Sequence, residues 1–284
     1  MEAVKALVER GASLRTTEKG KSPLDFAIMA NSLPVVDYLL SQGAEPNFDG
    51  LRNTGAGQGA PPIVRAARRG NVDILRSMLG ASADVNQVGG IGQSALHTAA
   101  YYGHNPFVAA LLSAGATVDA ETTVTASMPN ERGGKTKMWN RSTPLHLAAS
   151  AGHAEVLRTL LAAGSTSLEA LTGGKRDSIL RHDGVFAPLH LAAESGRLAA
   201  AKVLLSAGAR ANVLGSNKAT DFDWAVCTRN SEMMAFFAEQ RCLKASEHLS
   251  LSSWQLDPTS KLTMSGGKFL LRVKLDPRHP HVSD

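Results

Sequence analysis

Apolar residues in this chain fall into short blocks with helical rather than alternating spacing, and a glycine closes most of them. From Ser142 to Gly164 the residues read Ser-Thr-Pro-Leu-His-Leu-Ala-Ala-Ser-Ala-Gly-His-Ala-Glu-Val-Leu-Arg-Thr-Leu-Leu-Ala-Ala-Gly. The pattern predicts a short helix opened by Pro144, a break at Gly152, and a second helix carrying Val156, Leu157, Leu160 and Leu161 on one stripe. Proline suits a first helical turn because its missing N–H has no intrahelical partner there. Thr143 ahead of it is a natural N-cap. Ala148 and Ala149 are small enough to let paired helices approach closely. One such pair cannot bury its own apolar face, so it needs neighbours.

The neighbours are written in the same chain. Phe186-Ala187-Pro188-Leu189-His190-Leu191-Ala192-Ala193 repeats the pattern, as do Ser94-Ala95-Leu96-His97-Thr98-Ala99-Ala100 and Pro61-Pro62-Ile63-Val64-Arg65-Ala66-Ala67. Ser22-Pro23-Leu24-Asp25-Phe26-Ala27 is an earlier copy, and a degenerate one begins at Thr220-Asp221-Phe222-Asp223-Trp224-Ala225. Measured on the first apolar residue of each motif, Ile63 to Leu96 and Leu189 to Phe222 are 33 apart. Leu24 to Ile63 carries 6 residues more, Leu96 to Leu145 carries 16 and Leu145 to Leu189 carries 11.

This pattern resembles the ankyrin repeat, whose period is roughly 33 residues with a T-P-L-H-x-A signature. The resemblance implies an all-α fold, a solenoid of helix-turn-helix units joined by short hairpin loops, over residues 1–242. A partial first repeat occupies 1–14, with repeats starting near 21, 60, 93, 142 and 186 and a degenerate one near 219. Residues 1–14 match only the second helix of a repeat, with Val4, Leu7 and Val8 as its buried stripe, which suggests a piece of a longer chain. Residues 243–284 are expected to form a poorly structured tail or the start of a truncated domain. Within it Lys268 to Leu275 looks like a strand after the turn-like Ser265-Gly266-Gly267, with no evident partner. Insertions in a solenoid emerge as loops on one face, often the binding face. Glu121 to Arg141 therefore reads as a projecting finger.

Composition narrows the class. An apolar share of 43% with only 5% aromatic residues suits an Ala/Leu-rich helical stack, and each repeat should contact only its neighbours. The two cysteines, Cys227 and Cys242, lack metal-ligand spacing and read as reduced thiols, which points to a cytoplasmic or nuclear setting. No basic-hydrophobic leader and no apolar run of about 18 residues is seen, so neither secretion nor membrane spanning is indicated.

The search for chemistry yields little. No nucleophile elbow, phosphate-binding loop or dinucleotide fingerprint occurs, so no cofactor, catalytic residue or metal site is assigned. His97, His146 and His190 share the fourth place of the motif, where the family resemblance implies a bond to inter-repeat backbone. Asn47, Asn86 and Asn212 close an A-x-x-N turn and are read as hairpin stabilisers. In the family, hairpin tips and the residues after the paired alanines line a concave groove. Carried onto this chain, that implies a partner site at Arg68, Arg69, Tyr101, Tyr102, Trp139, Asn140, Phe186 and Glu194. Tyr, Trp and Arg are the types enriched at binding hot spots. The net charge of +5 is dispersed, whereas a nucleic-acid reader concentrates its charge on one face. The expectation is a non-catalytic scaffold for a protein partner. A targeting segment of a larger signalling or ubiquitin-ligase protein is the alternative, and a nucleic-acid adaptor the weaker one.

Overall fold

The structure is a computed structural model. It describes residues 1–15, 21–47, 60–90, 92–123, 141–173, 186–211, 213, 221, 225 and 230–237, plus the backbone of 126–129, 135–138, 263–265 and 268–270. After α1 (Glu2–Glu9) the helices come in pairs: α2 (Pro23–Met29) with α3 (Leu33–Ser41), α4 (Pro62–Arg69) with α5 (Val72–Gly80), and α6 (Ala95–Tyr102) with α7 (Asn105–Ser113). Then follow α8 (Pro144–Ala151) with α9 (Ala154–Ala162) and α10 (Pro188–Glu194) with α11 (Leu198–Ser206). Residues 231–237 add a further helical segment. The first helices α2, α4, α6, α8 and α10 stack side by side in an inner layer, and α3, α5, α7, α9 and α11 stack in an outer one. The chain is a helical solenoid.

The core lies between the two layers. Leu24, Ile63, Leu96, Leu145 and Leu189 face it from the inner helices. Val36 and Leu39, Ile74 and Leu75, Phe107 and Leu111, and Val156 and Leu160 face it from the outer ones. The alanine pairs 66–67, 99–100, 148–149 and 192–193 are all fully buried, which keeps neighbouring inner helices close. In α1, Val4 and Val8 pack against this core, but Leu7 is 59% exposed, so the three-residue stripe expected there reduces to two.

The inner helices α2, α6, α8 and α10 are tied at both ends, and α4, with Val64 at the fourth place of the motif, only at its far end. At the start, Ser94 N–H donates to His97 Nδ1 at 3.3 Å, Thr143 N–H to His146 Nδ1 at 3.1 Å, and Ala187 N–H to His190 Nδ1 at 2.9 Å. A backbone N–H can only donate, so Nδ1 is bare and Nε2 carries the proton. Nε2 donates onward to the next repeat: His97 to Ser142 O (3.0 Å), His146 to Ala170 O (2.9 Å), and His190 to Val213 O (2.9 Å). In the first repeat Asp25 takes this place. It accepts the Ser22 N–H at 2.8 Å and pairs with Arg65 Nε of the second repeat at 2.9 Å.

The helix ends form a second chain of links. His104 Nε2 donates to Arg68 O at 3.1 Å and His153 Nε2 to Tyr101 O at 3.0 Å, each reaching back one repeat. Arg197 Nε meets Ser150 O at 3.4 Å, and Asn230 Nδ2 meets Gly196 O at 3.5 Å. The glycines beneath these side chains are left-handed, and Asn31 (φ 54°) takes that place in the first repeat, where Asn71 Nδ2 donates to its side chain.

The insertion after α7 leaves the array through a closed neck. Thr122 N–H donates to Ser142 O at 3.0 Å, and Ser142 N–H donates to Thr122 Oγ1 at 3.0 Å. Arg141 adds an exposed ion pair to Glu121. Beyond the neck, β1 (Ala126–Pro129) pairs antiparallel with β2 (Lys135–Met138), so the finger has a hairpin backbone. The insertion before α10 uses the same clamp: Thr172 N–H to Phe186 O at 3.0 Å, and Phe186 N–H to Thr172 Oγ1 at 2.9 Å. In the tail, β4 (Lys268–Leu270) pairs antiparallel with β3 (Thr263–Ser265), so the strand expected to stand alone has a partner. The remainder of the tail, Cys227, Cys242 and Asn212 lie outside the described residues.

Candidate partner-binding surface

The face of the inner helices turned away from the outer layer carries a small apolar cluster separate from the main core. Tyr101 lies on Leu147, with Tyr102 and Ala151 packed alongside. The two tyrosine rings meet edge to face at 5.1 Å between centroids. The guanidinium of Arg68, from the preceding repeat, sits 5.7 Å over the Tyr102 ring, and the His104 imidazole lies nearly parallel to that ring at 6.2 Å. A cation over an aromatic face is held by the ring quadrupole. Tyr102 is thus a half-buried aromatic fixed from two sides, with Arg69 exposed beside Arg68.

The expected site separates into parts. Arg68, Arg69, Tyr102 and Glu194 are accessible on this face. Tyr101 is not, since only 6% of it is exposed and Leu147 lies against it. Phe186 is also buried, because it precedes α10 as half of the Thr172 clamp and its carbonyl accepts from His146 Nε2 at 3.1 Å. Trp139 and Asn140 lie outside the described residues. His104 was absent from the expected set. Its place just after a glycine marks it as inter-repeat, yet its stacking also orients Tyr102.

Glu194 is exposed at the end of α10, and partial desolvation pushes its carboxyl up. His97 and His146 are fully buried, and loss of hydration lowers both to about 4. They are neutral cross-links with both ring nitrogens occupied, which leaves no lone pair for proton transfer to a ligand. Among the described residues no group of three His, Cys, Asp or Glu side chains is placed to hold a metal ion, and no helix is long and apolar enough to cross a membrane.

A family profile described as "Ankyrin repeats (3 copies)" matches residues 48–122 and 121–215, and one described as "Ankyrin repeat" matches residues 19–50. The chain belongs to the ankyrin repeat family. Ankyrin repeats are modules of protein–protein interaction. The chain is 29% identical over 188 residues to the probable E3 ubiquitin-protein ligase XBOS32 of Oryza sativa subsp. japonica, covering 60% of this chain and 37% of that protein. It is 28% identical over 170 residues to the palmitoyltransferase AKR1 of Lachancea kluyveri, covering 58% of this chain and 20% of that protein. It is 31% identical over 121 residues to neurogenic locus notch homolog protein 1 of Mus musculus, covering 42% of this chain and 5% of that protein. The chain therefore spans well under half the length of each of these relatives.

Proposed function

We propose that the inner-helix face recognises a segment of a partner polypeptide, with Arg68, Arg69 and Tyr102 at the centre of the contact. The observation that carries this reading is the state of Tyr102: a half-exposed aromatic held in place by Arg68 and His104, outside the main core. Such residues lose little side-chain entropy on binding, and hot spots are rich in Tyr and Arg for that reason among others. The finger beyond the Thr122 neck is a second contact element, with Trp139 and Asn140 beside its base in sequence.

The test is affinity capture with wild type and an Arg68→Ala/Tyr102→Ala variant, each shown to unfold at the same urea concentration. A partner retained by wild type and lost by the variant supports the reading. The same captured proteins with both would sink it. A second reading has its own support. Two of the similar proteins are named as a ubiquitin-protein ligase and a palmitoyltransferase, and the chain covers only part of each. In that reading the array presents substrates to a catalytic domain elsewhere in a longer protein.

A further inference from the structure

The inner helices α4, α6, α8 and α10 are consecutive neighbours, and the two residues after each buried alanine pair hold the same place in the repeat. The pairs are Arg68-Arg69, Tyr101-Tyr102, Ser150-Ala151 and Glu194-Ser195. Both arginines and Glu194 are exposed, while Tyr102, Ser150 and Ala151 are partly so. Among the described residues no carboxylate pairs with Arg68 or Arg69, and no cation pairs with Glu194. At this place in the repeat the residues therefore change along the array from two cations, through an aromatic and a small-residue pair bordered by Arg197 on Ser150 O, to an anion.

We infer that this strip binds an extended polypeptide segment that is acidic at one end and basic at the other, with its acidic end over α4 and its basic end over α10. The inference rests on the reading of the inner-helix face as the partner site, and it adds the partner's charge layout and orientation. Stacked helices lie about 8–10 Å apart, so the three steps from α4 to α10 span about 24–30 Å. An extended chain rises about 3.3 Å per residue, which puts roughly seven to nine residues between the charged ends. An apolar residue between them meets the Tyr101–Leu147–Tyr102–Ala151 cluster. The two ends are more than two Debye lengths apart at about 8 Å each in physiological salt, so each reads its own charge independently.

The experiment is selection of random dodecapeptides displayed on phage against the whole chain, in wild type and in the Arg68→Glu/Arg69→Glu, Glu194→Lys and Tyr102→Ala variants. Wild type should enrich peptides with an acidic cluster and a basic cluster separated by roughly seven to nine residues. Arg68→Glu/Arg69→Glu should lose the acidic cluster and keep the basic one, and Glu194→Lys should do the reverse. A synthetic peptide from the wild-type pool should bind at least about tenfold more weakly to the double arginine variant. Enrichment unaffected by either charge variant but abolished by Tyr102→Ala would overturn the polarity and leave the surface assignment standing. Enrichment indifferent to all three variants, or none at all, would overturn both.

Discussion

The imidazole of His104 lies so close over Gly70 that a methyl group on that glycine would stand 2.4 Å from the ring. The same contact recurs one repeat later, where His153 covers Gly103 and a methyl would stand 2.5 Å away. Each glycine also has positive φ, 71° at Gly70 and 76° at Gly103. Glycine is required here for backbone conformation and for space. Gly115, with φ 89° and nothing within 4 Å, is required for conformation alone.

That contrast separates the two requirements. Gly115→Ala should cost about 1–2 kcal/mol, the usual strain of an L-residue in the left-handed region. Gly70→Ala should cost at least about 1 kcal/mol more, because the His104 ring must shift and give up its bond to Arg68 O. Adding His104→Ala should remove much of that excess in a double-mutant cycle. Urea denaturation provides the readout, and equal costs at the two glycines would contradict the steric argument.

The tyrosine pair should split between stability and binding. Tyr101→Ala empties a buried site on Leu147 and should cost about 3 kcal/mol. Tyr102→Ala should cost less than about 1 kcal/mol, as surface changes away from the core generally do. Thermal melts of the two single variants are sufficient. A larger loss for Tyr102 would move that residue from the surface into the fold's own packing.

Acid should loosen the array through its buried histidines. An imidazole in the unfolded chain takes up a proton near 6.5, whereas His97 and His146 in the folded chain do so only near 4. Between those values the unfolded state binds more protons, so stability is complete above about pH 6.5 and falls as pH drops toward 4. Each histidine contributes roughly 3 kcal/mol to that fall. Ring resonances followed by NMR should show no titration of these two between pH 7.5 and 5. Midpoints near 6.5 for either ring would refute the buried neutral assignment.

The finger should be dispensable for folding, and its neck should not. Replacing residues 124–140 with a short glycine-containing turn should leave the helical circular dichroism signal intact, because loop closure varies slowly with length. Thr122→Val keeps the shape but leaves the buried Ser142 N–H without its acceptor, at a cost of about 1–3 kcal/mol. Lost helix in the shortened chain would show that the finger supports the array.

The repeat register was legible in the sequence because each unit repeats one physical solution: proline or alanine to open, leucine inward, two alanines between helices, glycine to stop. The histidine cross-links followed from the same repetition. Tyr101 was misplaced because its position is exposed at Arg68 one repeat before and at Glu194 two repeats on, and partly exposed at Ser150 between them. The signal lay one repeat on: Leu147 is apolar where Arg65 and Thr98 are polar, and Tyr101 packs on it. Phe186 was misplaced for a similar reason. It stands just ahead of the helix N-cap, where an apolar residue commonly packs inward as a staple, and its backbone closes the Thr172 clamp. The polarity from Arg68 to Glu194 emerges only when four repeats are superposed, since adjacent residues in sequence do not show it.

The links at the helix ends all run in one direction. His104 serves Arg68 O, His153 serves Tyr101 O, Arg197 serves Ser150 O, and Asn230 serves Gly196 O. In each case the later repeat supplies the donor and the earlier one holds the waiting carbonyl. The closure of each inner helix end thus depends on the repeat that follows it. The last inner helix of any truncated array would therefore lack this donor, while removing a repeat from the front would leave every later helix end closed.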